Sequence, residues 1–161
     1  MQEIAEEWQI PMFIAAVDFK KAFDSVTHDT LWAALAEQHV DQSYIHLLQK
    51  LYDNNTAAVK TDRQSRTFNI ERGVKQGDPL SSLLFNCATE SFIRKVNSKW
   101  QARRYGIQLQ ASSDERITNL RFADDILLMS GSLHTLTMMI TDLSTEAGKH
   151  GLQLHPDKTK I

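Results

Sequence analysis

Apolar and polar positions alternate along this chain with two periods, and each switch between them marks an element. After an amphipathic opening around Ile4 to Trp8, Pro11 introduces the apolar run Met12-Phe-Ile-Ala-Ala-Val17, which predicts a buried strand ending at Asp18. Thr27 or a neighbour can cap a helix through Asp29-Thr-Leu-Trp-Ala-Ala-Leu-Ala-Glu37. A second helix is expected near Gln42 to Tyr52, with Ile45, Leu48 and Leu51 at helical spacing, closed by Asp53-Asn54-Asn55. Thr56 to Thr61 and Ser65 to Ile70 are short, β-branched and alternating, the pattern of a half-exposed hairpin. Glu71 to Leu80 carries two glycines, a proline and four charges and reads as a loop. Pro79 then suits the first turn of a long helix through Phe85, Phe92, Val96 and Trp100, with Asp78 as its cap. Gly106 to Leu109, Ile117 to Phe122 and Ile126 to Met129 read as strands. Leu133 to Lys149 reads as a helix closed by Gly151, and Leu152-Gln-Leu154 as a last strand.

Strand, helices, long helix, antiparallel hairpin, helix and strand, in that order, predict an α+β fold of the split β-α-β kind, an antiparallel sheet with helices on one face. Such a sheet would hold Asp18, at the end of its first strand, beside Asp124 and Asp125 in the hairpin. That hairpin poses a problem. A two-residue turn favours Asn-Gly or Asp-Gly, and Ala123-Asp124-Asp125 contains no glycine. Adjacent carboxylates also repel unless a cation neutralises them, so a metal ion is the simplest explanation. Hard Mg²⁺ ions prefer oxygen ligands, and a pair of them stabilises the attacking and leaving oxygens of a phosphoryl displacement.

Composition narrows the options. At 161 residues, 42% hydrophobic and 24% charged, the chain is long enough for one or two compact units. No apolar run approaches the roughly 20 residues of a transmembrane helix. The opening Met1-Gln-Glu-Ile-Ala-Glu-Glu7 is acidic where a signal peptide is basic, so an intracellular protein in a reducing compartment, with no membrane partner, is expected. Cys87 stands alone in an apolar helical segment and reads as a small buried side chain, not a nucleophile. A net charge of −2 gives no general pull toward nucleic acid; the clusters Lys20-Lys21, Arg94-Lys95, Lys99, Arg103-Arg104 and Lys158 to Lys160 read as solvated faces. His28, His39, His46, His134, His150 and His155 are isolated, so zinc is not expected. Trp8, Trp32 and Trp100 are too far apart for a stacking platform, and Leu136, Met138, Met139, Ile140 and Leu143 fit a helix packing on a sheet.

Four segments in order change the picture. Ala16-Val-Asp-Phe-Lys-Lys-Ala-Phe-Asp24, Arg72-Gly-Val-Lys-Gln-Gly-Asp-Pro-Leu-Ser81, Phe122-Ala-Asp-Asp125 and Gly151-Leu-Gln-Leu-His-Pro-Asp-Lys-Thr-Lys160 closely resemble the palm motifs of reverse transcriptases. The resemblance is to the non-LTR, LINE-type retrotransposon class, whose Phe/Tyr-Ala-Asp-Asp box differs at its second residue from that of many retroviral enzymes. It covers nearly the whole chain.

The resemblance implies an RNA-directed DNA polymerase that adds dNTPs to a DNA primer on an RNA template with two Mg²⁺ ions, for which Mn²⁺ can substitute. It implies Asp18 and Asp124 as metal ligands, with Asp125 supporting the same charged site. Ala123 would be small enough for the primer end to lie close to the carboxylates. Phe23 would block a ribose 2′-hydroxyl, a steric task for an aromatic ring, although such a residue without the motif is more often core. Gln76 and Gly77 would contact the incoming nucleotide and template base. Lys158 or Lys160, with Lys158 preferred, would protonate or neutralise the pyrophosphate leaving group. Ser82 departs from the family, which commonly has proline there, and is expected to loosen the helix start.

Seventeen residues before Asp18 and seven after Leu154 are expected to be too few for complete fingers and for a thumb. Residues 1–161 therefore read as a reverse transcriptase fragment, the palm with partial fingers and no endonuclease, from a longer polyprotein expected to work at nuclear DNA. The alternatives are an inactive palm remnant that binds nucleic acid or is only structural, and another palm-type metal enzyme such as a nucleotidyl cyclase or nuclease. Phe23 and Gln76-Gly77 favour templated dNTP use over the last. The motifs carry nothing about oligomeric state.

Overall fold

The apolar run that follows Pro11 forms the first strand, from Phe13 on, of a computed structural model that describes residues 11–53, 55–62, 65–108 and 114–161. In chain order the elements are β1 (Phe13–Val17), α1 (Ala22–Ser25), α2 (His28–Glu37), α3 (Gln42–Tyr52), β2 (Thr56–Ala57), β3 (Phe68–Asn69), α4 (Pro79–Ala102), β4 (Ile107–Gln108), β5 (Arg116–Ile117), β6 (Asn119–Phe122), β7 (Asp125–Ser130) and α5 (Leu133–Lys149). The opening around Ile4 to Trp8, Asn54 and Leu109 lie outside the described residues. Two compact units emerge, one of Met1–Ala22 with Phe92–Ile161 and one of Phe23–Ser91. No helix among the described residues is long and apolar enough to cross a membrane.

The first unit is built on an antiparallel sheet in the order β1-β7-β6. Its register pairs Ala15 with Leu128 and Val17 with Ile126. These four side chains are buried on one face of the sheet. α5 packs on β1 and β7, burying Leu136, Met139 and Leu143 as expected, with Ala147, whereas Met138 is exposed and Ile140 half-buried. Ser132 caps it by accepting from the Thr135 amide. Phe92, Val96 and Trp100, on the second half of α4, are fully buried as expected. Trp100 donates its indole N–H to Asp142 of α5 at 3.2 Å, and Lys99 Nζ pairs with the same carboxylate at 2.5 Å.

Asp142 is therefore a buried charge held by partners, and Asp142→Ala should lower stability by about 2 kcal/mol because the buried indole N–H loses its acceptor. Lys99 is 43% exposed and returns to water at little cost. The thermal midpoint should fall by roughly 4–8 °C, and less in Asp142→Asn, which keeps an acceptor. An unchanged midpoint in the alanine variant would contradict this account.

The second unit carries α1 from Phe23 on, α2, α3, the β2-β3 hairpin and the first half of α4. Thr27 caps α2, and Asp78 accepts from the Leu80 amide at 2.9 Å at the start of α4, both as expected. Asp41 caps α3, and its hydrogen bonds from the Ser43 hydroxyl and amide hold its carboxyl pKa below the usual value. Leu31, Ala34, Leu35, Ile45, Leu84, Phe85 and Ala88 are buried here. Ile45 carries the buried side of α3 alone, whereas Leu51 is 58% exposed. The hairpin is shorter than its sequence pattern, two residues per strand.

Two expectations are corrected. The run Ile117 to Phe122 is two strands because it changes partner: Ile117 pairs with Ile107 of β4, Asn119 to Phe122 pair with β7, and the Thr118 carbonyl between them still accepts from the Met129 amide of β7 at 2.9 Å. Leu152 to Leu154 is not a strand: Leu154 makes a single bridge to Phe19, Lys160 makes another to Ala16, and Pro156 to Lys158 turn between them. Proline has no amide proton to continue a ladder, so the segment follows the edge of β1 in two isolated steps. Ser82 lies in the first turn of α4, where its amide, which proline would lack, donates to the Asp78 carbonyl at 3.4 Å.

Candidate active site

Asp18 follows the last residue of β1, and since Val17 pairs with Ile126, the next register position opposite it is Asp125. In a pleated sheet, side chains one position on from buried Val17 and Ile126 point to the other face. Asp18 and Asp125 therefore emerge beside Ala16 and Leu127, and the four line one open cleft of about 520 Å³. Exposed Ala16 is small enough to leave that cleft open.

The tail brings the third member. The His155 amide donates to the Asp18 carbonyl at 2.8 Å, and Ala16 and Lys160 exchange backbone hydrogen bonds of 2.8 and 3.0 Å. Between these anchors the Pro156–Lys158 turn swings Lys158 over the cleft, with Nζ 3.0 Å from Asp18 Oδ2. Asp18 Oδ2 is buried, and among the described residues it has the Lys158 charge beside it but no hydrogen-bond donor. A buried carboxylate oxygen with a nearby charge and no donor is chemically suited to a cation. Lys160, the other candidate, is tied to β1 through its backbone.

Asp124 sits one step away, in the two-residue turn set by pairing of Phe122 with Asp125. Ala123 takes φ +53° in that turn. A non-glycine residue there costs about 1–2 kcal/mol, and such strain persists where surrounding structure imposes it, often at functional sites. Half-buried Asp124 does not line the cleft that Asp18, Asp125 and Lys158 share. Among the described residues, no three His, Cys, Asp or Glu side chains converge as a ready metal group. Asp18 and Asp125 are thus the carboxylates this structure brings together.

The remaining candidates lie in the second unit. Half-buried Phe23 stacks on Phe85, with centroids 4.7 Å apart and planes at 19°. Exposed Gln76 donates to Asp24 Oδ1 at 3.4 Å and lines a cleft of about 840 Å³ with Asp24, Tyr52, Arg72 and Asp78. Gly77 takes φ +86° with open space about its α-carbon, so another molecule's backbone or base can approach it closely. Cys87 is half-buried, and its burial, followed by the Glu90 charge, raises the thiol pKa, which makes it a poor nucleophile, as its apolar setting predicts.

Sequence reasoning missed two residues that hold this loop. Asp24 receives the Gln76 amide, and His28, set aside as an isolated histidine, bonds the Gly73 carbonyl through Nε2 at 3.0 Å. Their partners are 52 and 45 residues away, a separation that local periodicity does not register.

Comparison with known proteins identifies the family. The family model described as reverse transcriptase (RNA-dependent DNA polymerase) matches residues 2–161. The Retrovirus-related Pol polyprotein from type-1 retrotransposable element R2 of Nasonia vitripennis is 31% identical over 148 residues, covering 91% of this chain and 14% of its own length. The R2DM polyprotein of Drosophila melanogaster is 30% identical over 148 residues, covering 91% and 13%. The chain thus spans a small part of these relatives. Among solved structures, telomerase from Candida albicans in complex with a TWJ fragment of telomeric RNA superposes with TM-score 0.74 at 16% identity, over 99% of this chain and 28% of the other. Apo telomerase from Candida tropicalis gives 0.73 at 16%, over 99% and 30%. At that identity the likeness is one of fold, an α+β polymerase palm.

Proposed function

This chain belongs to the reverse transcriptase (RNA-dependent DNA polymerase) family, and we propose that it is the palm, with part of the fingers, of a non-LTR retrotransposon polymerase that extends a DNA primer on an RNA template. The observation that carries the reading is the single open cleft shared by Asp18, Asp125 and Lys158 beside the strained Ala123-Asp124 turn. On this reading the enzyme works at nuclear DNA.

Asp18 in the cleft and Asp124 at the adjoining turn would hold two Mg²⁺ ions, with Asp125 adding charge beside Asp18. Bound there, the ions supply charge neutralisation and alignment for in-line attack of the primer 3′-hydroxyl on the dNTP α-phosphate. Ala123 leaves room at the turn for the primer terminus. Lys158 already lies over the cleft on a solvent-facing side chain, 65% exposed, so it can turn from Asp18 to donate a proton to the departing pyrophosphate. Gln76 and Gly77 contact the nascent base pair.

Phe23 excludes the 2′-hydroxyl. Its ring is backed by Phe85 and cannot retreat without opening a buried stack, which makes it a firm steric wall. Phe23→Val should raise rNTP use relative to dNTP use by roughly 10- to 100-fold in competitive incorporation assays. An unchanged ratio would leave Phe23 as core.

Templating tests the function itself. With a DNA primer on an RNA template, changing the first unpaired base from A to C should switch incorporation from dTTP to dGTP. Nucleotide turnover that ignores the template would favour a cyclase or nuclease, and nucleic-acid binding without incorporation an inactive remnant.

A further inference from the structure

We propose that His28 is a positioning residue for nucleotide selection, holding in place the loop that carries Gln76 and Gly77. The role rests on the templated-dNTP reading of that loop. The His28 Nε2 atom lies 3.0 Å from the Gly73 carbonyl oxygen, and because a carbonyl only accepts, Nε2 carries the proton and donates it. The ring stands edge-on to Tyr52, centroids 5.2 Å apart at 83°, and tilted against Trp32 at 6.2 Å. Its direction is therefore set by aromatic packing.

The Gly73 carbonyl and the Val74 amide are two ends of one peptide plane. His28 holds the oxygen end, and the carbonyl of Phe23, the proposed sugar gate, accepts from the Val74 N–H at 2.7 Å. One rigid peptide thus joins the gate residue to the base-contacting loop. Beyond it, the loop's hydrogen bonds are weak: Gln76 to Asp24 and the Asp78 amide to the Lys75 carbonyl are each 3.4 Å. Gly73, at φ +86°, has little intrinsic resistance to rotation of this plane, so orientation comes from the two hydrogen bonds. Without the His28 donor, the plane swings on one end and Gln76 loses its register.

The test uses the full chain. His28→Leu keeps bulk against Tyr52 and lacks a donor; His28→Gln supplies an N–H with similar reach. In His28→Leu, the Val74 amide should exchange with solvent about 10-fold faster, and KM for dNTP should rise about 5- to 10-fold with kcat within about 2-fold. His28→Gln should restore both, which a purely structural role for the imidazole would not allow. Unchanged Val74 exchange and KM in His28→Leu, in a chain whose wild type is active, would overturn the proposal alone. A wild type that incorporates nothing would instead overturn the functional reading on which it stands.

Discussion

Asp18→Asn is expected to reduce metal-dependent primer extension by at least about 10³-fold, near 4 kcal/mol of transition-state stabilisation, while leaving the fold intact. Asparagine has the same shape and loses the charge. Asp18 and Asp125 are like charges sharing one cleft, and Asp18 Oδ2 accepts no hydrogen bond, so stability has little to lose and some repulsion to shed. The thermal midpoint should therefore stay level or rise as activity disappears. The opposing loss, that of the Lys158 pair, is small because Lys158 is mostly in water. An Asp18→Asn variant that retains most of its activity would remove Asp18 from the metal assignment; one that loses activity and midpoint together would make its role structural.

The second large effect is expected at Gly73. A Cβ there would lie 2.9 Å from both the α-carbon and the carbonyl oxygen of Asp24, backbone atoms that cannot rotate aside, and φ +86° adds its own penalty for any other residue. Strain of about 1–2 kcal/mol and overpacking of similar size give a loss of roughly 3 kcal/mol for Gly73→Ala. What breaks is specific: the Gly73 amide bonds the Val26 carbonyl at 2.7 Å, the Val74 amide bonds Phe23, and Arg72 bridges to Thr27. Forcing these apart displaces the Gln76 loop from the gate segment. The midpoint should drop by roughly 6–12 °C, with faster amide exchange at Gly73 and Val74. A variant with unchanged midpoint would show that the contact yields easily.

Much of this was legible in the sequence where a pattern is local. Met12 to Val17 between Pro11 and Asp18, the Thr27 and Asp78 caps and the stripe Phe85, Phe92, Val96, Trp100 each specify an element within one or two turns of chain, and each is present. The ordered motifs led to the family because they are short and chemically constrained. Long-range features were not legible. The run Ile117 to Phe122 is divided between two partner strands, β4 and β7, and Leu152 to Leu154 has strand composition but meets a proline two residues later. The lack of glycine at Ala123-Asp124 pointed to a metal in the sequence, and the positive φ that Ala123 adopts in the turn came only with the fold. Which carboxylate faces Asp18 followed only from the register Val17–Ile126, which puts Asp125 in the cleft and Asp124 at the turn. His28 and Asp24 required the fold, since their partners come from a loop some fifty residues on.

The central claim is that this chain carries a working nucleotidyl-transfer site, and one measurement tests it most directly: labelled dTTP incorporation into a DNA primer on an RNA template with Mg²⁺ or Mn²⁺, wild type beside Asp124→Asn. The account predicts incorporation that needs both template and metal and vanishes in the variant. Equal incorporation by the variant, or none by the wild type in either metal, would contradict it.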